Sequence, residues 1–254
     1  MTPALTGSDY EPATEARRKD GGPVTTTVST PPAAAAVQQQ VADLAATRIA
    51  SWQEGYLKDR SPAVAALARL RRGAGREAGE TPDLWSLVDT DPLHTPVEGM
   101  RPLSEQELER AENALHAALT LWAFHQQSRG VPMHRRHTRE RPGGLGAAVR
   151  RLMPADGTDA PVRKRLVRAG TAPDLATLTQ RLRDIVALLR AAKDPVPLDY
   201  ALLAGQLYVW QWADGPAAVR RRWGRSFHEQ VRTLPGTAPA SNEKNTPDTD
   251  KDAS

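Results

Sequence analysis

Residues 104–127 read SEQELERAENALHAALTLWAFHQQ, and their spacing is helical from end to end. Ser104 and Glu107, three apart, form a capping box in which each side chain satisfies an orphan backbone amide of the first turn. Behind that start, Leu108, Ala111, Leu115, Leu119 and Trp122 recur at three- and four-residue intervals as one apolar stripe. Leu121 and Phe124 widen the stripe, so the helix is a central one, ending near Gln127.

The same pattern continues in both directions. Upstream, Val37, Val41, Leu44, Ala45, Ile49, Trp52 and Tyr56 mark one long helix. Ser61 is expected to cap the next, with Pro62 in its first turn and Gly73 ending it after Val64, Leu67 and Leu70. Thr81-Pro82 repeats the start signal ahead of Leu84, Trp85, Leu87 and Val88. Downstream, a basic loop from Arg129 to Pro142 leads into a helix from Gly143 to Met153. Asp159 then caps a short basic helix, Pro161 to Arg168, closed by Gly170, and Asp174 caps another running through Leu189. Pro195 and Pro197 break the chain before an apolar helix from Leu198 to Trp212, and Gly215-Pro216 opens the last, with Val219, Trp223, Phe227 and Val231. No segment alternates as a half-buried strand does. The expected fold is all-α, a compact multi-helix bundle over residues 37–234, with 153–160 as the point where two small lobes would meet.

All six tryptophans and both phenylalanines fall between Trp52 and Phe227. Residues 1–36 and 235–254, rich in Pro, Thr and Ala or in polar groups, bury too little apolar surface to offset ordering and are expected to be disordered tails. With zero cysteines there is no disulfide, thiolate nucleophile or cysteine zinc site. No run of eighteen apolar residues suggests a membrane span, and no secretory signal is visible, so a cytoplasmic location is expected. Walker, His-Glu-x-x-His and Gly-x-Ser-x-Gly patterns are absent and carboxylates are scattered, which argues against an enzyme and predicts no cofactor.

The formal net charge is +4, but its distribution says more. Arg129 to Arg168 holds eleven basic residues against three acidic ones. A basic excess this local favours a polyanion. Arginines number 28 and lysines 6. Guanidinium forks suit phosphate, and a GC-rich genome would give the same bias.

Seven segments, in order, carry a resemblance: ALARLRRG (66–73), ALTLWAFHQQ (118–127), GLGAAVRRL (144–152), LRDIVALLR (182–190), LDYALL (198–203), Trp210-Gln211 and VRRRWGRSF (219–227). The series, from about Arg48 to Gln230, resembles the CasB family, the small subunit of the type I-E CRISPR Cascade complex. The resemblance implies a non-catalytic, antiviral role beside other Cascade subunits and a second copy of the same chain. It also implies contact with the backbone of the guide RNA and target DNA and with the displaced strand, sequence being read by guide pairing. The long tails and the arginine-rich loop 133–141 depart from the family's pattern.

Candidate nucleic-acid-binding residues follow from charge and resemblance together. They are Arg135, Arg136, Arg139 and Arg141 in the loop, Arg150 and Arg151 behind the glycines 143, 144 and 146, and Arg163, Lys164, Arg165 and Arg168 on the short basic helix. Arg221, Arg222 and Arg225 on the last helix and Arg71 and Arg72 at a helix C-terminus complete the set. A helix start after Gly143-Gly144 would offer amides to a phosphate. Each group has a second reading as a solvated helix face or, for Arg71 and Arg72, a complement to the helix dipole. His134 and His137 have metal-like spacing, but the surrounding arginines repel a cation, so no metal is expected. His125 reads as a structural cap or protein contact. The tryptophans read as core, except that Trp210 and Trp212 point about 200° apart on a helix, leaving one for a partner. The alternative function is a helical protein-interaction scaffold, and behind it a helix-turn-helix repressor.

Overall fold

Glu107 sits where its sequence signal put it. Its carboxylate accepts hydrogen bonds from the Ser104 amide (2.8 Å) and hydroxyl (2.9 Å), while Ser104 Oγ accepts from the Glu107 amide (3.3 Å). The helix so started is the fifth of ten α-helices among the described residues, which are 32–96, 101–154, 157 and 159–233 of a computed structural model. In chain order they are α1 (Pro32–Leu57), α2 (Ser61–Leu70), α3 (Trp85–Val88), α4 (Asp91–His94), α5 (Glu105–Gln126), α6 (Leu145–Arg150), α7 (Ala160–Gly170), α8 (Leu175–Ala191), α9 (Tyr200–Trp210) and α10 (Gly215–Thr233). Three 3-10 turns, Arg71–Gly73, Ala78–Glu80 and Pro82–Leu84, join α2 to α3. No strand is present among these residues, and the fold is all-α.

Helix α5 is central, as its wide apolar surface requires, packing against α1, α8, α9 and the 3-10 turn at Arg71. Its Trp122 is wholly buried, with the indole N–H donating to Gln53 Oε1 of α1 at 3.4 Å. Helix α9 is apolar on nearly every side and is buried on nearly every side. It lies so close to α1 that a Cβ on Gly205 would stand 3.0 Å from the Gln38 carbonyl oxygen. Helices α6 and α10 are closer still, since a Cβ on Gly146 would stand 1.9 Å from the Trp223 carbonyl oxygen.

Asp159, Asp174 and Asp199 cap α7, α8 and α9, each carboxylate accepting from the amide three residues on. Ser61 is not a cap. Arg60 holds the N-cap position without a side-chain bond, because α2 already begins at Ser61. Helix α1 starts at Pro32, and α6 is only the middle of the span expected from Gly143 to Met153. Helix α4 is too short for any periodicity to reveal. Residues 1–31 and 234–254, where most of the two expected tails fall, lie outside the described residues. Part of the expected lobe boundary at 153–160 lies outside the described residues, and α6, before it, packs on both α7 and α10.

Tryptophan burial separates differently from its sequence reading. Trp210 is buried and stacks on Trp223 at 5.6 Å, and Trp212 is half-buried beneath the Arg110 guanidinium at 3.9 Å. Trp85, on the short α3, is the exposed one at 63%.

Candidate nucleic-acid interface

The arginine-rich loop between α5 and α6 is tied down along its length. Gln126, at the end of α5, accepts from the Met133 amide (2.8 Å) and donates to the carbonyls of Arg129 and Val131 (3.0 Å each). Gln53 of α1 accepts from the His134 amide (2.9 Å) and donates to its carbonyl (3.2 Å). On the far side the loop meets the chain just before α9. The Leu198 amide donates to Met133 O (3.0 Å) and the Arg135 amide to Leu198 O (3.3 Å), an isolated parallel bridge.

Asp199 closes the arrangement. One carboxylate oxygen caps α9 through the Leu202 amide (2.9 Å), the other accepts from the His137 amide (2.7 Å), and its own amide donates to Gly143 O (2.8 Å). His134 Nδ1 accepts from the Tyr200 amide at 3.1 Å, which places its proton on Nε2. Burial holds its pKa below the ordinary histidine value, against the opposing pull of Asp199 and with a smaller push from Arg136. The nearby Asp199 carboxylate, 3.9 Å away, therefore faces a neutral ring. His137 Nδ1 accepts from the Gly143 amide (3.0 Å). Both histidines are loop fasteners, and among the described residues no three His, Cys, Asp or Glu side chains are gathered for a metal ion.

With its backbone held inward, the loop turns its arginines outward. Arg135, Arg136, Arg139 and Arg141 are all exposed. Arg135, Arg136, Arg141 and Arg151 line one open pocket of about 200 Å³, with Glu140, Pro142, Gly143 and Pro197. Arg151 is half-buried there, donating to Pro197 O at 2.8 Å, and burial, then Arg135, pulls its pKa down. Arg136 also pairs with Asp43 of α1 at 3.4 Å, an exposed contact that a phosphate could displace at little cost.

Arg150 does not join this surface. It is 3% exposed, and Nη1 donates to the carbonyls of Met153 (3.4 Å) and Pro154 (2.7 Å), closing the turn after α6. The glycines before it are buried too. Gly144 abuts Ser226 of α10 and Gly146 the α10 backbone. They serve helix packing, and the α6 start is not presented to a ligand as the sequence suggested.

Arg163, Lys164, Arg165 and Arg168 are exposed along α7. Arg221 and Arg225 are exposed on α10, which packs against α7 and α6, and Arg222 is half-buried. Two further arginines close the negative end of the α7 dipole: Arg181 donates to Arg168 O and Arg220 to Gly170 O (3.1 Å). Arg71 and Arg72 lie elsewhere, at the far end of α2. Arg72 lines a pocket of about 250 Å³ with Arg69, Arg76 and Asp83.

Sequence reasoning missed Gln53, Gln126 and Asp199 as the supports of the loop. An aspartate before an apolar helix is a cap signal, but the two prolines drew the expected start to Leu198. The glutamines carry no such signal. His125, read as a cap or protein contact, is fully buried and bonds the Tyr200 hydroxyl at 2.9 Å.

A family model described as CRISPR-associated protein Cse2 matches residues 66–228. The crystal structure of CasB from Thermobifida fusca is similar to this chain at 48% identity, covering 74% of this chain and 97% of that one, with a TM-score of 0.64. The crystal structure of M. ruber CasB shares 23% identity over 73% of this chain and 94% of its own, with a TM-score of 0.47. No curated protein matches the chain.

Proposed function

This chain belongs to the CRISPR-associated protein Cse2 family, and from that premise we propose that it is a non-catalytic small subunit of the type I-E Cascade complex that grips nucleic-acid backbone without reading sequence. In that role it sits in the cytoplasm beside other Cascade subunits and a second copy of itself. It stabilises guide RNA paired to target DNA and holds the displaced strand. Protein contacts of this kind tip a strand exchange that is otherwise nearly balanced.

The observation that carries the reading is the cluster of Arg135, Arg136, Arg141 and Arg151 around one pocket, on a loop whose backbone is bonded to α1, α5 and the start of α9. A loop whose backbone is fixed before the ligand arrives loses less freedom on binding. The exposed row on α7 extends the positive surface. No helix among the described residues is long and apolar enough to cross a membrane. Trp85, large, aromatic and exposed, supports a protein contact in the same assembly.

Fluorescence anisotropy of the purified protein on unrelated single- and double-stranded DNA, over a salt series, tests the reading. Binding is expected to be blind to sequence and to weaken steeply with salt. Changing Arg135, Arg136 and Arg141 to Gln removes three phosphate contacts and should flatten the log–log salt slope by about 2 to 3. Reversing Arg163, Lys164 and Arg165 to Glu should weaken binding further with the fold intact. An unchanged slope and affinity in both variants would make the chain a scaffold whose arginines meet protein.

A further inference from the structure

A cleft of about 580 Å³ lies where the Ala78–Glu80 turn, α5, the start of α8 and the end of α9 meet. That volume is in the range of small-molecule sites. Its lining is acidic, unlike the surfaces described above. Glu77, Glu109 and Asp174 bring carboxylates from three separate parts of the chain, and Arg76 is the one guanidinium beside them. Arg76 turns part of its charge to Glu80, at 3.7 Å. Among the described residues none of the three acids forms an ion pair.

The floor of the cleft adds an acceptor of a different kind. His116 borders it and is 2% exposed. The Thr81 hydroxyl donates its hydrogen to the Glu77 carbonyl (3.3 Å), so at 2.8 Å it accepts from His116 Nε2. Nε2 therefore carries the proton, and Nδ1 is left as a bare acceptor. Burial, then the charge of Arg76, holds the pKa at about 4, which keeps the ring neutral at neutral pH. Among the described residues nothing donates to Nδ1.

Acceptors around a cleft call for a ligand that donates. A lone metal ion does not suit it, because no three His, Cys, Asp or Glu among the described residues come close enough to share one. The acids are spread around the opening, which fits several positive groups held apart. Ammonium groups have only donors to offer. Methylenes between them would lie against Ala78, Ala117 and Leu175. Asp174 also accepts the Thr177 amide at 2.7 Å, which offsets the positive end of the α8 dipole.

We propose that this cleft binds a linear aliphatic polyamine, its ammonium groups held by Glu77, Glu109 and Asp174 and by His116 Nδ1. The site is independent of the nucleic-acid reading of the basic loop, and no arginine of that loop takes part in it.

Titration calorimetry of the full chain, freed of nucleic acid, with spermidine at constant ionic strength is the test. Saturable one-to-one binding is expected. Butylamine, a single ammonium, and Mg²⁺, a point charge, should bind far more weakly. Glu77→Gln with Glu109→Gln should melt like the parent, since both side chains are exposed. It should weaken spermidine binding about two- to thirtyfold, through the loss of two exposed charge contacts. Glu109→Gln alone should give part of that loss. Absence of saturable binding overturns the proposal, as does parental affinity in the double variant. Butylamine or Mg²⁺ binding as tightly as spermidine also overturns it, by making the cleft a socket for one charge.

Discussion

Glu107 is a carboxylate with 6% of its side chain exposed, clamped by both Nη atoms of Arg101 at 2.8 Å and bonded to Ser104. The Arg101 bonds, outweighing burial, hold its pKa at about 2 against an ordinary 4.5. A depressed carboxylate contributes stability that is full above the unfolded pKa and lost as pH falls toward the folded one. With an exposed arginine as its partner, that contribution is about 1–3 kcal/mol. His116 and His125 have pKa values of about 4 and about 3, both lowered first by burial. The unfolded imidazole protonates near 6.5 and the native ring resists, so stability is full above that pH. It falls by about 1.4 kcal/mol per histidine for each pH unit below it, until the folded pKa is reached. Two overlapping acid windows result, histidine from about 6.5 down to about 4 for His116 and about 3 for His125, and glutamate from about 4.5 to 2. Urea unfolding across pH should show His116→Gln reducing the slope between about pH 6.5 and 4, and Glu107→Gln reducing it only below about 4.5. Equal acid sensitivity in parent and variants would place the linkage on other groups.

At the scale of elements, close approach does what propensity alone would not. Helix α6 is six residues long, too short to persist by itself, and stands because Gly146 lets it settle on the α10 backbone. Gly146→Ala puts a methyl group where the Trp223 carbonyl already lies, so one helix must retreat. The expected cost is about 1–3 kcal/mol, or roughly 2–12 °C in melting temperature. Gly224→Ala, with nothing within 4 Å of the new carbon, should melt at or above the parent temperature. Equal melting of the two variants would show that α6 and α10 are not held by that contact. Capping boxes, aspartate caps and apolar stripes made most helices legible, because those signals are local. The same sequence misread Gly144 and Gly146 as a phosphate cradle, because a glycine reports closeness to something without naming it. Charge alone points Arg150 to the surface for a related reason. Its burial depends on carbonyls at 153 and 154 that a charge count does not register.

Across the whole molecule, the excess of charge from Arg129 to Arg168 was legible, and its division into surfaces was not. The loop and α7 are continuous in sequence, whereas the two arginines over the Phe124 ring, Arg183 and Arg190, come from α8, outside that stretch. The loop itself is fixed from both ends of the chain, by Gln53 and by Asp199. Amides of His134, His137 and Gly143 should resist hydrogen exchange in the free protein. In Asp199→Ala those of His137 and Gly143 should exchange freely, with DNA affinity lower and the salt slope unchanged, since no arginine has been removed. Protection that first appears on DNA addition would mean that the loop is ordered by its ligand.

The bond from His137 to Asp199 joins residues 62 positions apart. A chain is made from its N-terminus, and pairings this distant close late. On the ribosome, the arginines of the loop emerge well before the aspartate and the bridge at Leu198 that orient them. Until α9 follows, they hang on an unanchored strand of chain in a cell full of RNA. The arrangement of the loop is thereby completed late in synthesis, and a chain truncated before residue 198 carries the charges without the bonds that orient them.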